Sequence, residues 1–150
     1  MPRAPKTAKR TASTAERLAG MPILPDLVIE GGKRTLAMLI REGTETVQPQ
    51  LALWIDRDSS MVRAVSDVIS PLRNPDGGTA IALEALVRAC TGPFPGAPYE
   101  DRVIALPGVP DPVTLLATKP GLPSRLRVEN EALADAARQL LEPLGVRIEQ

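Results

Sequence analysis

The sequence contains no histidine and a single cysteine, Cys90. The first absence excludes Ser-His-Asp and Cys-His catalysis and every histidine-based metal site. The second excludes an intrachain disulfide and a cysteine-based structural zinc. Aromatic residues are almost missing: Trp54, Phe94 and Tyr99 make up 2% of the chain. The core must therefore be built from Leu, Val, Ile and Ala. No apolar run approaches the ~18–20 residues that span a bilayer. Neither G-x-G-x-x-G nor G-x-x-x-x-G-K-[ST] occurs, so the familiar phosphate-cradling loops are absent. Gly31-Gly32-Lys33 reads as a two-glycine turn.

What is present suffices for one domain. The chain has 150 residues, of which 43% are hydrophobic, an ordinary share for a globular protein. Formal net charge is zero but unevenly spread. The first 20 residues carry Arg3, Lys6, Lys9, Arg10 and Arg17 against Glu16 alone. Residues 1–25 also hold Pro2, Pro5, Pro22 and Pro25. They read as a disordered basic tail and linker, with a single α+β domain over 26–150. Arg3, Lys6, Lys9 and Arg10 could contact nucleic acid, giving weak and steeply salt-dependent binding. The lone cysteine and the lack of an apolar signal region point to a cytoplasmic protein without membrane contact.

Element order follows from periodicity. Leu27-Val28-Ile29 is a short strand candidate that stops at Gly31-Gly32. Leu36, Met38 and Ile40 alternate, giving a second candidate over 35–40. Leu51, Leu53 and Ile55 alternate with Ala52, Trp54 and Asp56. A turn at Arg57-Asp58-Ser59-Ser60 then predicts a hairpin with strands near 50–56 and 61–68. Asn74-Pro75-Asp76-Gly77-Gly78 is a loop. After it Leu83, Leu86, Val87 and Cys90 mark one helical face, with Thr79 or Gly78 as cap and Gly92-Pro93 as stop. This puts Cys90 in the core. Residues 93–123 hold eight of the sixteen prolines and read as loop, with strands at 102–106 and 113–118. A strand at 125–129, a helix capped by Asn130 and a last strand at 146–148 complete a βαβ unit with parallel strands. The expected fold is α+β: an antiparallel three-stranded meander, then helix, strand, helix and strand, with the helices packed on one mixed sheet.

Only carboxylate chemistry remains open. Asp56-Arg57-Asp58-Ser59-Ser60 begins like a calcium loop, with Asp56 and Asp58 as ligands. Met61 stands where that loop needs glycine, and a hairpin turn accounts for the segment better. Asp56 and Glu129 are the carboxylates a two-magnesium hydrolase would use if they converged. Gly77-Gly78, ahead of a helix, is a possible anion-binding position. No cofactor is expected.

Two resemblances follow from these segments. The element order is similar to the ribonuclease H-like fold, and Leu53-Trp54-Ile55-Asp56-Arg57-Asp58-Ser59-Ser60-Met61-Val62 resembles a hairpin of integrase cores. Leu126-Arg127-Val128-Glu129-Asn130 resembles the segment that carries their second catalytic acid. Their first-strand acid has no counterpart, the nearest acids being Asp26 and Glu30. The resemblance therefore implies a degenerate nuclease or transposase relative. Over roughly 33–150, the segments Thr35–Ile40, Pro49–Asp56, Ala85–Gly96 and Lys119–Val128 resemble a bacterial family known only as a domain of unknown function. That likeness implies a fold and no activity.

Together these features favour a non-catalytic protein-binding or scaffold module. Phe94 and Tyr99, on the proline-rich stretch, are its candidate interface anchors. The partner is expected to be another protein.

Overall fold

The computed structural model describes residues 14–92, 102–115 and 119–150. In chain order the elements are helix α1 (Thr14–Ala19), β1 (Ile23–Thr35), β2 (Ile40–Glu42), β3 (Glu45–Val47), β4 (Gln50–Asp56) and β5 (Val62–Val65). Helix α2 (Thr79–Thr91), β6 (Arg102–Ile104), β7 (Val113–Leu115) and β8 (Leu122–Val128) follow. Helix α3 (Glu131–Leu141), a 3-10 turn (Glu142–Leu144) and β9 (Arg147–Glu149) close the chain.

Five strands form one mixed sheet in the order β5-β4-β1-β8-β9. β4 runs antiparallel to both its neighbours. β8 runs parallel to β1 and to β9. The fold is thus α+β with a mixed sheet. β2 with β3, and β6 with β7, form separate antiparallel hairpins.

One face of the sheet carries the core. Ile29, Ala52, Trp54, Ala64, Leu126 and Val128 join Leu86, Ala89, Leu133 and Ala137 of the helices in a single buried cluster. Leu18 of α1 enters the same cluster. Among the described residues, all three helices lie on this side. Trp54 is fully buried, and its indole donates to the Ala82 carbonyl of α2 at 3.1 Å. That bond satisfies the one polar atom the ring brings inside. Leu51, Leu53 and Ile55 therefore point to the other, helix-free face, because side chains alternate along a strand.

Several sequence expectations need correction. The ordered unit reaches back to Thr14, inside the stretch read as tail and linker. Residues 1–13 lie outside the described residues, including Arg3, Lys6, Lys9 and Arg10. Gly31-Gly32 is not a turn but the interior of the 13-residue strand β1. The Cβ that any other residue would carry at position 31 collides with the Leu53 carbonyl of β4. Glycine here permits close strand approach. The 35–40 strand does not form: β1 ends at Thr35, and Met38 and Leu39 are exposed. Gly43, at φ +61°, instead turns the β2-β3 hairpin.

The 61–68 strand shortens to Val62–Val65, and its ladder with β4 shifts register between Trp54 and Ile55. The strands expected at 102–106 and 113–118 cover Arg102–Ile104 and Val113–Leu115, and they pair with each other. The strand expected at 125–129 starts earlier, at Leu122, and includes Pro123. Pro123 is tolerated because β9 pairs only with residues 125–127, so no neighbour needs its missing N–H. The last strand is Arg147–Glu149. Phe94 and Tyr99 lie outside the described residues.

No helix of the described residues is long and apolar enough to cross a membrane.

Candidate functional site

The parallel strands β1 and β8 meet where the chain changes direction across the sheet. From β1 it goes to β4 on one side, and from β8 to β9 on the other. In open sheets ligands favour the crevice at the carboxyl ends of strands at such a switch point. A cleft of about 440 Å³ lies there on the helix-free face. Its walls include Glu30, Arg34, Leu53, Ile55, Arg127 and Glu129, with Gln150 at the rim.

Strand register explains the grouping. Glu30 pairs with Ile55 on one side and with Arg127 on the other. Gly32 pairs with Leu53, and Arg34 with Leu51. These residues alternate along their strands and share one face. Arg34 grips Glu129 at two points, Nη2 to Oε1 at 2.6 Å and Nε to Oε2 at 3.2 Å. This two-point bond holds the Glu129 carboxyl below the usual carboxylate range. Arg127 and Glu30 are looser, at 4.0 Å. Arg125 and Arg147 both approach Glu149, at 3.4 and 3.7 Å.

Gly32 forms the floor behind the Arg34–Glu129 pair. Its φ is +156°, and a Cβ there would lie 2.5 Å from Asn130 Oδ1 and 3.1 Å from Glu129 Cβ. Asn130 leads into α3 from an extended conformation, but its side chain makes no cap bond. Its Oδ1 accepts the Lys33 N–H at 2.6 Å, and its Nδ2 donates to the Lys33 carbonyl at 3.4 Å.

Asp56 is elsewhere. It pairs with Ile29, whose side chain belongs to the core face. Glu129 is on the opposite face, so the two carboxylates do not meet. Asp56 Oδ1 accepts the Asp58 N–H at 3.0 Å, as expected of a turn former. Asp58 is exposed at the hairpin tip. Among the described residues no three Asp, Glu, Cys or His side chains are placed to hold a metal ion.

The Gly77-Gly78 position already holds an anion from its own loop. Asp76 accepts from Gly78 N–H through Oδ1 and from Ala80 N–H through Oδ2, both at 2.9 Å. Gly78 is the N-cap residue of α2, as one of the two expectations had it, and the side chain that accepts from the first turn is that of Asp76. These bonds, the one from Ala80 foremost, push its carboxyl below the usual range. Lys33 Nζ donates to the Gly77 carbonyl at 2.8 Å beside it.

Arg63, on the second strand of the hairpin, was not singled out in the sequence. It is 3% exposed. Its Nε donates to the Ala89 carbonyl at 3.0 Å and its Nη2 to the Lys119 carbonyl at 2.8 Å. It thereby ties β5 to the carbonyl end of α2, where a cation is favoured. Cys90 is fully buried beside it, and burial pushes the thiol up to about 12.

Sequence reasoning singled out Glu129 as a carboxylate that would converge with Asp56, whereas here it pairs with Arg34; it did not single out Glu30, Arg34 or Arg127 as site residues. The available signal was the alternation Glu30-x-Gly32-x-Arg34, which reads as one strand face once the glycines are not taken as a turn. No family model, curated protein or solved structure matches the chain.

Proposed function

We propose that this chain is a non-catalytic binding module whose working surface is the helix-free face of its sheet, and that a protein covers this face. The observation that carries the reading is the orientation of β4. Leu51, Leu53 and Ile55 face away from every described helix and remain partly exposed. Val62 and Val65 of the neighbouring β5 are also partly exposed. Ion pairs of β1, β8 and β9 border this aliphatic half. A partly exposed aliphatic patch bordered on one side by charged residues is the kind of surface that marks a protein interaction site.

A ribonuclease H-like ancestry belongs to the same proposal. Its support is the strand order, with the first three strands of the sheet antiparallel and the last two added in parallel. Fold likeness by itself implies no activity. The degenerate-nuclease alternative has less support, because Asp56 and Glu129 occupy opposite faces.

Substituting Leu53→Asp tests the reading. The variant is expected to fold, since position 53 lies outside the core cluster, and to lose the proteins that cross-link to the wild-type chain in cell extract. An unchanged set of cross-linked proteins would refute the surface. Magnesium-dependent cleavage of nucleic acid, lost in Glu129→Gln, would refute the non-catalytic assignment.

A further inference from the structure

The cleft at the carboxyl ends of β1 and β8 has a lining unlike the rest of that face. We propose that it binds a small dipolar ligand bearing both an ammonium and a carboxylate, of the class of an apolar amino acid or dipeptide. The proposal concerns the same face as the protein-binding reading but stands without it.

Three observations converge. The first is size and place: about 440 Å³ at the switch point of the sheet. Small-molecule sites fall in a range of ~300–1,000 Å³ and favour such crevices.

The second is charge. Arg34 and Arg127 face Glu30 and Glu129, so the four charged side chains of the lining cancel. A ligand carrying both charges can satisfy one group of each sign.

The third is the inequality of the two ion pairs. Arg34 and Glu129 are locked together by two hydrogen bonds. Arg127 and Glu30 stand at paired positions on adjacent strands, yet their closest approach is 4.0 Å. That is too long for a hydrogen bond. The guanidinium and the carboxylate are both partly exposed, with side-chain exposures of 51% and 32%. A ligand carboxylate can take the Arg127 fork while its ammonium takes Glu30, so neither protein charge is left without a partner. Leu53 and Ile55, on the adjacent strand, offer aliphatic contact to the ligand's side chain. Arg125 and Arg147 are not among the residues that line the cleft, and both approach Glu149.

The test uses the full chain with L-leucine and leucyl-leucine as probes, followed by calorimetry and thermal melting. Leucine or its dipeptide is expected to bind and to raise the melting temperature. N-acetyl-leucine lacks the ammonium, and leucine methyl ester lacks the carboxylate. Each is expected to lose about tenfold or more in affinity, the cost of one charge-assisted hydrogen bond. Arg127→Gln and Glu30→Gln are expected to remove binding while Trp54 emission reports an intact fold. The proposal fails if neither probe binds at millimolar concentration. It also fails if a blocked derivative binds as well as leucine, or if either variant retains wild-type affinity.

Discussion

The side-chain amide of Asn130 clasps the backbone of Lys33, taking its N–H at 2.6 Å and giving a longer bond to its carbonyl at 3.4 Å. The two residues are 97 positions apart. The clasp joins the end of β8 to β1 just where the Arg34–Glu129 pair closes over Gly32. Asn130 therefore acts as a tertiary tie, and α3 begins with its backbone rather than its amide: the Ala134 N–H bonds the Asn130 carbonyl at 2.8 Å.

This arrangement predicts a coupling between positions 32 and 130. Asn130→Ala removes the clasp and is expected to cost about 0.5–1.5 kcal/mol, the net worth of a partly buried hydrogen bond. Gly32→Ala forces a Cβ against Asn130 Oδ1 and is expected to cost about 1–3 kcal/mol. In the double variant the obstructing oxygen is gone. The combined loss is expected to fall short of the sum by about 0.5 kcal/mol or more. Urea denaturation of the four proteins measures this, and strict additivity would contradict the geometry.

Asp76 supplies a pH-dependent contribution of known sign. Folding lowers its pKa because Ala80 and Gly78 donate to the ionised carboxylate. The folded chain thus holds this proton less tightly than the unfolded one. The stabilisation is complete above the ordinary aspartate range and disappears as pH falls through the lowered value. Asp76→Asn is expected to melt below wild type at neutral pH, with the two curves converging in acid. Melting curves that remain parallel down to pH ~2 would show that the cap does not titrate this way.

Cys90 is predicted to be unreactive until the protein unfolds. Its thiol is buried against Arg63 and raised to about 12, whereas reaction requires an accessible thiolate. Maleimide labelling at mildly alkaline pH is expected to run about a thousandfold or more slower than in denaturant. Its onset along a urea series is expected to coincide with the red shift of Trp54, the only tryptophan and a fully buried one. Rapid labelling of the native chain would reveal a local opening at the end of α2.

Helices α2 and α3 and the β4-β5 hairpin were legible in the sequence because their signals are local, whereas α1 fell in the stretch read as tail. Leu86, Val87 and Cys90 mark the buried side of α2 through spacing alone, and all three are buried. The 50–56 strand was likewise visible from its alternation. The alternation did not reveal which face turned inward. Leu51, Leu53 and Ile55 look more apolar than Ala52, Trp54 and Asp56, yet the second set faces the helices. The inward set lines up with Ile29, Ala64, Leu126 and Val128 of the neighbouring strands, and Trp54 finds its hydrogen-bond partner on α2. Gly31-Gly32 was misleading for a related reason. Two glycines favour a turn locally, but here they let β1 pass close to Leu53 and Asn130.

By itself, the sequence determined what this protein can be made of and what it cannot do. It specified an aliphatic core, two amphipathic helices between strands, and no histidine-based chemistry, because each depends only on residue type and short-range spacing. Tertiary structure alone decided that Asp56 and Glu129 part to opposite faces while Glu30, Arg34, Arg127 and Glu129 share one cleft. That outcome depends on strand register between segments about a hundred residues apart in sequence. A one-residue shift in register would have reversed every one of those side chains.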